Sequence, residues 1–142
     1  MITCTRRMQF DAAHRLVGHE GKCRHLHGHR YMLEAMFTAD ALDSVGRVVD
    51  FAVIKETLGA WLEENWDHNT ILYEKDRALG DAIHGHTKQA IFYLPANPTA
   101  ENMAAYIFNV VCPELFKGKD IRCTGITLHE TPNCKASVLG TR

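Results

Sequence analysis

Two histidines separated by one residue, His27 and His29, stand at the start of a β-prone run, and Cys23 lies four residues before the first of them. In an extended backbone, side chains two positions apart point to the same face. If this stretch is a strand, the two imidazoles lie side by side. Imidazole nitrogens are typical ligands of zinc and of neighbouring first-row transition metals. The spacing therefore indicates a metal site, with Cys23 able to approach whatever the metal holds.

A third histidine, His14, lies on the other side of a glycine-containing loop, with twelve residues between it and His27. Three histidines leave the fourth tetrahedral position open, which is typical of catalytic rather than structural zinc sites. The alternative is that these histidines lie on the surface of a hairpin. His19 and His25 are also possible ligands, and His25 could share the face of His27 because it lies two residues before it.

A second pair with the same spacing, His84 and His86, flanks Gly85 in a polar stretch without strand periodicity. The side-by-side argument fails there, and we predict a solvent-exposed loop.

Cys23 lies between two cations, Lys22 and Arg24. Neighbouring positive charge can lower the pKa of a thiol and make it a base or nucleophile. The alternative is a small, unreactive buried residue, the usual role of a free cysteine. That role is predicted for the other four cysteines, which are Cys4, Cys112, Cys123 and Cys134.

Two carboxylates also have a possible chemical role. Asp67 directly precedes His68, and an imidazole beside a carboxylate can transfer protons near neutral pH. The alternative is that these two residues only cap the end of a helix.

Glu130 ends an apolar strand face before Pro132. A carboxylate near buried surface needs donors. A planar heterocycle with adjacent N–H groups, an arginine or backbone amides could each supply them.

Periodicity predicts the elements that position these groups. Strands are expected over residues 3–10, 29–38, 90–94, 122–130 and 134–139. Residues 73–88 are expected to be mostly loop, with one helical turn as the alternative. One helix is predicted from an N-cap at Asp50 to about Asn65, and a second from Asn97 or Thr99 to Pro113. This order indicates an α+β fold with an antiparallel sheet and two helices on one face. The other face or the edges of such a sheet need another subunit.

Composition limits the possible functions. The protein has 142 residues, 46% hydrophobic and 23% charged, and a net charge of −1. It is predicted to form one domain over residues 1–142, without the basic field or apolar span needed to bind nucleic acid or a membrane. Five cysteines argue against a disulfide framework, and the N-terminal residues lack the apolar core of a signal peptide. A cytoplasmic location is therefore expected.

Six motifs in order resemble the 6-pyruvoyl-tetrahydropterin synthase / 6-carboxytetrahydropterin synthase family. They are Phe10-Asp11-Ala12-Ala13-His14-Arg15, Cys23-x-x-x-His27-Gly28-His29-x-Tyr31, Val49-Asp50-Phe51 with Lys55, Asp67-His68, Asn97-Pro98-Thr99-Ala100-Glu101-Asn102, and Glu130-Thr131-Pro132-Asn133-Cys134. The three-residue gap after Cys23 resembles the bacterial carboxytetrahydropterin branch.

The resemblance implies a tunnelling fold, in which subunits join their sheets into an oligomeric β-barrel with the helices outside, as a trimer or a hexamer (a dimer of trimers). It also implies roles for named residues. Zinc would be bound by His14, His27 and His29, Cys23 would be the general base, Asp67 and His68 a proton relay, Glu130 the anchor of the pterin ring, and Thr99 a substrate-binding residue.

The implied reaction converts 7,8-dihydroneopterin triphosphate to 6-carboxy-5,6,7,8-tetrahydropterin, acetaldehyde and triphosphate, early in queuosine and 7-deazaguanine biosynthesis. The alternatives are 6-pyruvoyl-tetrahydropterin synthesis, by elimination of triphosphate, and a non-catalytic pterin- or metal-binding protein. No nicotinamide cofactor is expected, because the sequence has no G-x-G-x-x-G motif.

Overall fold

Two long antiparallel strands form the centre of the sheet in the computed structural model, which describes residues 1–140. Strand β1 runs over Thr3–His14 and strand β2 over His27–Thr38. They pair along their whole length, from Thr3 opposite Thr38 to His14 opposite His27. The predicted strand at residues 3–10 therefore continues to His14, and the loop between the strands contains a 3₁₀ turn, Lys22–Arg24.

The remaining elements follow in chain order. They are helix α1 (residues 51–65), strand β3 (Asn69–Tyr73), a 3₁₀ turn (Glu74–Asp76), helix α2 (Arg77–Thr87), strand β4 (Phe92–Leu94), helix α3 (residues 100–115), strand β5 (Arg122–Thr131) and strand β6 (Cys134–Leu139). Helices α1 and α3 each include a π-helical turn, at Lys55–Gly59 and Ile107–Val111 respectively.

The six strands described within residues 1–140 form one mixed sheet in the order β4-β3-β1-β2-β5-β6. Strand β2 pairs antiparallel with β1 and β5, and β5 pairs antiparallel with β6, as predicted. The prediction of an antiparallel sheet is wrong for β3 and β4, because β3, a strand that the sequence did not predict, runs parallel to both β1 and β4. Neighbouring parallel strands need a crossover, and α2 supplies it between β3 and β4.

One face of the sheet carries the core. Tyr31, Leu33 and Phe37 alternate along β2 on this face and are fully buried, as the period-two pattern predicts. Helices α1 and α3 cover it with apolar side chains that include Ile54 and Met103. The prediction of two helices over one face is confirmed.

The N-caps of these two helices are also as predicted. Asp50 accepts a hydrogen bond from the backbone N–H of Ala52 at 2.9 Å, and Thr99 Oγ1 accepts one from that of Asn102 at 3.1 Å. Each cap satisfies a backbone donor that the first helical turn leaves without an intrahelical partner.

The opposite face of the sheet presents polar side chains. Arg7 Nε donates to Glu34 Oε1 at 2.7 Å, and Arg30 Nε donates to Gln9 Oε1 at 3.2 Å. None of the helices described within residues 1–140 has the length and apolar character needed to cross a bilayer.

Helix α3 continues past Pro113 to Leu115, so the predicted stop at the proline is wrong by two residues. A π-helical turn ends just before the proline, and the N–H of Cys112 bonds to the carbonyl of Ile107 five residues back. Such a turn shifts the backbone ladder locally, which lets the helix accommodate a residue without an N–H donor.

Helix α2 is a third helix where the sequence predicts a loop containing His84 and His86. The two glycines in this stretch made a helix unfavourable on sequence grounds. Gly80, however, is required by packing, because a Cβ at this position would overlap the hydroxyl of Tyr93. Arg77 lies against the Tyr93 ring, with its guanidinium carbon 3.8 Å from the ring centroid. His84 and His86 are exposed in the last turns of this helix.

Gly80→Ala is expected to destabilise the fold, because the added methyl group must displace the Tyr93 ring. Overpacking of this kind costs about 1–3 kcal/mol. Gly85→Ala is the matched control in the same helix, since nothing lies within 4 Å of a Cβ there. That variant is expected to be stabilised by up to about 1 kcal/mol through helix propensity. Urea unfolding of the two variants measures the difference, and equal stabilities would contradict the packing role of Gly80.

Candidate metal and active site

Three imidazoles meet where β1 ends and β2 begins, on the helix-covered face. His14 and His27 are direct partners in the strand register, and His29 follows on the same face. The ring centroids are 4.7 Å apart for His14 and His27, 5.2 Å for His14 and His29, and 4.9 Å for His27 and His29. One possible ligand atom from each ring lies within 4.8 Å of the other two. The strand pairing thus assembles the group that the spacing predicted.

The outer nitrogens of two rings are held by backbone carbonyls. His14 Nδ1 lies 2.7 Å from the oxygen of Pro98, and His27 Nδ1 lies 2.7 Å from the oxygen of His25. If each Nδ1–H donates to its carbonyl, each neutral ring has its lone pair on Nε2. These two Nε2 atoms are 3.1 Å apart, and Nε2 of His29 is buried without a hydrogen-bond partner among residues 1–140. Converging lone pairs of this kind fit a bound cation, and carbonyl-held histidines are typical of metal sites.

Burial also favours the ligating form of these histidines. Removal from water lowers the pKa of His14, which is only 1% exposed, and the neighbouring His27 lowers it further. Burial likewise lowers the pKa of His29, although the carboxylate of Glu130 acts in the opposite direction. A lowered pKa keeps both rings neutral near pH 7, and neutral imidazole is the form that binds a metal.

A second group of polar side chains lies beside the first. Asp67 accepts hydrogen bonds from the backbone N–H of Asp11 and from Nδ1 of His68, both at 2.9 Å. The backbone N–H of His68 in turn donates to the carbonyl of Asp11 at 2.6 Å, with His68 in the left-handed region at φ 55°. These three residues also offer atoms within 4.8 Å of one another.

The contacts of Asp67 and His68 shift both of their pKa values. Burial alone would raise the pKa of Asp67, but the hydrogen bonds from Asp11 and His68 outweigh it and lower that pKa. The hydrogen bond to Asp67 raises the pKa of His68. The pair therefore combines an ionised carboxylate with an imidazole that takes up a proton readily, and the imidazole of His68 is 77% exposed.

One histidine of the metal-binding group shares a cleft with two residues of the second group. His29 and His68 both border an open cavity of about 410 Å³, together with Asp11, Arg30 and Gln89. Gln89 Nε2 donates to the carbonyl of His68 at 3.1 Å, which holds the rim of the cleft. A larger cavity of about 850 Å³ lies along β1 and α1 and includes Asp67, but none of the three histidines lines it. The chemistry-bearing residues favour the smaller cleft.

Cys23 lies half-buried in the 3₁₀ turn of the β1–β2 loop, and its carbonyl accepts a hydrogen bond from the N–H of Leu16 at 2.9 Å. Within residues 1–140, no hydrogen bond joins its thiol to the three histidines of the metal-binding group or to His68.

His19 and His25, the two alternative ligands, are outside the three-histidine group. His19 Nδ1 accepts a hydrogen bond from the N–H of Gly21 at 2.8 Å, and His25 contributes its carbonyl rather than its ring to His27.

Glu130 lies beside His29, and Thr99 is next to the residue that holds His14. Glu130 is near the end of β5. Its Oε1 lies 3.5 Å from Nε2 of His29, and its side chain is 25% exposed. It therefore faces the metal-binding group while staying accessible to a ligand. Thr99 is one residue from Pro98, whose carbonyl holds His14, and its hydroxyl caps α3.

A comparison with protein-family models matches residues 3–141 to the family described as 6-pyruvoyl tetrahydropterin synthase. The protein belongs to this family. The resemblance predicted from the six motifs is thereby confirmed over nearly the whole sequence.

Named relatives are similar over almost their full length. The protein of Rickettsia bellii (strain RML369-C), named 6-carboxy-5,6,7,8-tetrahydropterin synthase, is 49% identical over 97% of this sequence and 100% of its own. A protein of the same name from Haemophilus influenzae is 30% identical, covering 93% of this sequence and 94% of its own.

Solved structures of other proteins share the fold. The Caenorhabditis elegans 6-pyruvoyl tetrahydropterin synthase superposes with a TM-score of 0.70 at 23% identity, covering 99% of this protein and 96% of the other. An uncharacterised protein from Wolinella succinogenes, WS1659, gives a TM-score of 0.82 at 18% identity, covering 99% and 98%. The predicted tunnelling-fold architecture of the single subunit is confirmed by this likeness.

This member of the 6-pyruvoyl tetrahydropterin synthase family also uses residues that sequence reasoning left without a role. Asp11 bonds to Asp67 and His68 through its backbone, and Pro98 holds His14 through its carbonyl. Both lie in motifs that carry the family resemblance, which is the signal that could have marked them. Gln89 had no such signal, because its contact with His68 depends on the helix that the sequence did not predict.

Proposed function

We propose that this protein is a zinc-dependent lyase that converts 7,8-dihydroneopterin triphosphate and water to 6-carboxy-5,6,7,8-tetrahydropterin, acetaldehyde and triphosphate. The convergence of His14, His27 and His29, with two Nδ1 atoms held by carbonyls, is the observation that carries the proposal. Relatives named 6-carboxy-5,6,7,8-tetrahydropterin synthase favour this product, and two of them are 49% and 45% identical to this protein. Its place would be early in queuosine or 7-deazaguanine biosynthesis.

Zinc fits the donor set, because three neutral imidazoles with an open fourth position are typical of catalytic zinc. Zinc bound there would act as a Lewis acid on the hydroxyl groups of the substrate tail and acidify the neighbouring C–H bond.

The protein's own residues would bind the substrate and move its protons. Glu130 is partly exposed beside His29 and would accept hydrogen bonds from the N–H groups of the pterin ring. Cys23 would act as general base and remove the acidified C–H proton from the substrate tail. His68, whose pKa is raised by Asp67, would hold a proton and return it to the substrate. Thr99 would contact the substrate near the start of α3.

Self-assembly is part of the proposal. Strand β3 pairs only with residues 12–14 of β1, so the edge of β1 from Thr3 to Asp11 has no partner strand within the described residues. Strand β6 forms the other end of the sheet order. Unpaired edges favour pairing with another subunit, and we propose a homo-oligomer, a trimer or hexamer, in which copies join these edges into a barrel. Sedimentation equilibrium of the purified protein at its working concentration tests the state, and a monomer there would contradict it.

Product analysis tests the reaction. Zinc-loaded protein is incubated with 7,8-dihydroneopterin triphosphate, and the pterin and the volatile product are identified by mass spectrometry. A carboxypterin with an equal amount of acetaldehyde supports the proposal. Loss of triphosphate with every carbon of the substrate tail retained would identify 6-pyruvoyl-tetrahydropterin synthesis instead. Unchanged substrate with tight pterin binding would identify a binding protein.

A further inference from the structure

The loop between β1 and β2 carries more positive charge than the contacts of the fold use. Residues 15–26 contain three cations, Arg15, Lys22 and Arg24, against one carboxylate, Glu20. They also contain His19 and His25, the two histidines that lie outside the metal-binding group. An uneven charge of this kind creates a local positive potential that attracts anions.

Arg15 is the cation of this loop that an ion pair neutralises. It contacts Asp76 at two points, through Nε to Oδ2 and through Nη2 to Oδ1, both at 2.5 Å. Within residues 1–140, no ion pair joins Lys22 or Arg24 to a carboxylate. Arg24 Nη1 instead donates to the backbone carbonyls of Glu20 and Gly21, at 3.4 and 3.2 Å. These bonds position the guanidinium group and leave its charge uncompensated.

The loop also encloses a cavity. It has a volume of about 460 Å³ and is lined by residues 15–19 together with Arg24 and His25. None of the three histidines lines this loop cleft, but His25 does, and its carbonyl oxygen lies 2.7 Å from Nδ1 of His27. The loop cleft is thus one hydrogen bond away from the three-histidine group, and it is the cationic neighbour that a charged tail of a ligand at the histidines would meet.

We propose that the loop cleft is the polyphosphate-binding subsite, in which Arg24 binds the triphosphate group of the substrate. Lys22, in the same 3₁₀ turn but outside the lining of the cleft, adds positive charge beside it. The inference rests on the proposed function for the identity of the ligand. A triphosphate carries several negative charges at neutral pH and many acceptor oxygens. Arginine and lysine are the residues that bind such groups, arginine in two-point fashion and lysine as a point charge. Cations at this position would also stabilise the triphosphate as it leaves.

Inorganic triphosphate is the probe that separates this subsite from the reaction itself. Isothermal titration of zinc-loaded protein measures its binding to the wild type and to the variants Lys22→Gln and Arg24→Gln. Matched controls are Lys117→Gln and Arg122→Gln, which remove exposed cations outside the β1–β2 loop. Each loop variant is expected to weaken binding about tenfold, with the controls unchanged. Binding of dihydroneopterin, which has no phosphate groups, is expected to be the same in all five proteins.

Two outcomes would overturn the subsite. One is equal affinity for inorganic triphosphate in the wild type and both loop variants. The other is binding that disappears when zinc is removed by a chelator but is unaffected by the loop substitutions, since the metal would then be the anion's partner. Neither outcome depends on which pterin product forms, so failure of the subsite and failure of the proposed reaction are distinguishable.

Discussion

His27→Ala is expected to abolish metal binding and, with it, turnover. The substitution removes an Nε2 atom that lies 3.1 Å from that of His14 and leaves two imidazoles in the group. Loss of a hydrogen-bonding partner around a metal already costs about 10–100-fold in affinity, and loss of a ligand costs more. Zinc per subunit, measured by inductively coupled plasma mass spectrometry after dialysis, is expected to fall from about one to near zero.

His86→Ala is the matched control for this variant. His86 is exposed on α2, far along the sequence from the group, and the control is expected to keep both its zinc and its activity. His25→Ala addresses the alternative ligand and is expected to keep its zinc, because its ring is outside the group. Stoichiometric zinc in His27→Ala would show that the ligand set is wrong.

Cys23→Ala is expected to lower turnover by about 10²- to 10⁴-fold, the usual contribution of a general base, while zinc remains bound. The half-buried position in a 3₁₀ turn makes the fold tolerant of the smaller residue. Single-turnover kinetics with 7,8-dihydroneopterin triphosphate measures the effect, with zinc content determined on the same sample.

The control for Cys23 is Cys134→Ala, which removes an exposed thiol at the start of β6. It is expected to leave turnover unchanged. If Cys23→Ala also retained wild-type turnover, Cys23 would not be the base. If it lost zinc together with activity, the loss of turnover would report on the metal group and not on proton removal.

Local patterns predicted the elements around the site well. The alternation along β2 and the caps at Asp50 and Thr99 depend on contacts within a few residues, and the structure has them as predicted. The three histidines came together for the same reason, since a hairpin register and a period of two are enough to place them on one face.

Long-range packing accounts for what the sequence did not predict. The helicity of α2 depends on Gly80 fitting against Tyr93, and a glycine by itself favours a loop. Strand β3 was not predicted either, and without α2 there was no crossover, so the parallel pairing of β3 with β4 could not be inferred. Asp11 contacts Asp67 through its backbone N–H, and the identity of its side chain gives no indication of such a contact.

The segment just before α3 holds a ring that lies far away in the sequence. His14 is bonded to the carbonyl of Pro98, and the neighbouring Asn97 exchanges two hydrogen bonds with the backbone of Val17, at 2.8 and 2.9 Å. Substitutions at positions 97 and 98 are therefore expected to change the orientation of the His14 imidazole within the metal-binding group. If the proposed zinc site is confirmed, these two positions offer an engineer a way to change its preference among zinc, cobalt and nickel with every ligand left in place.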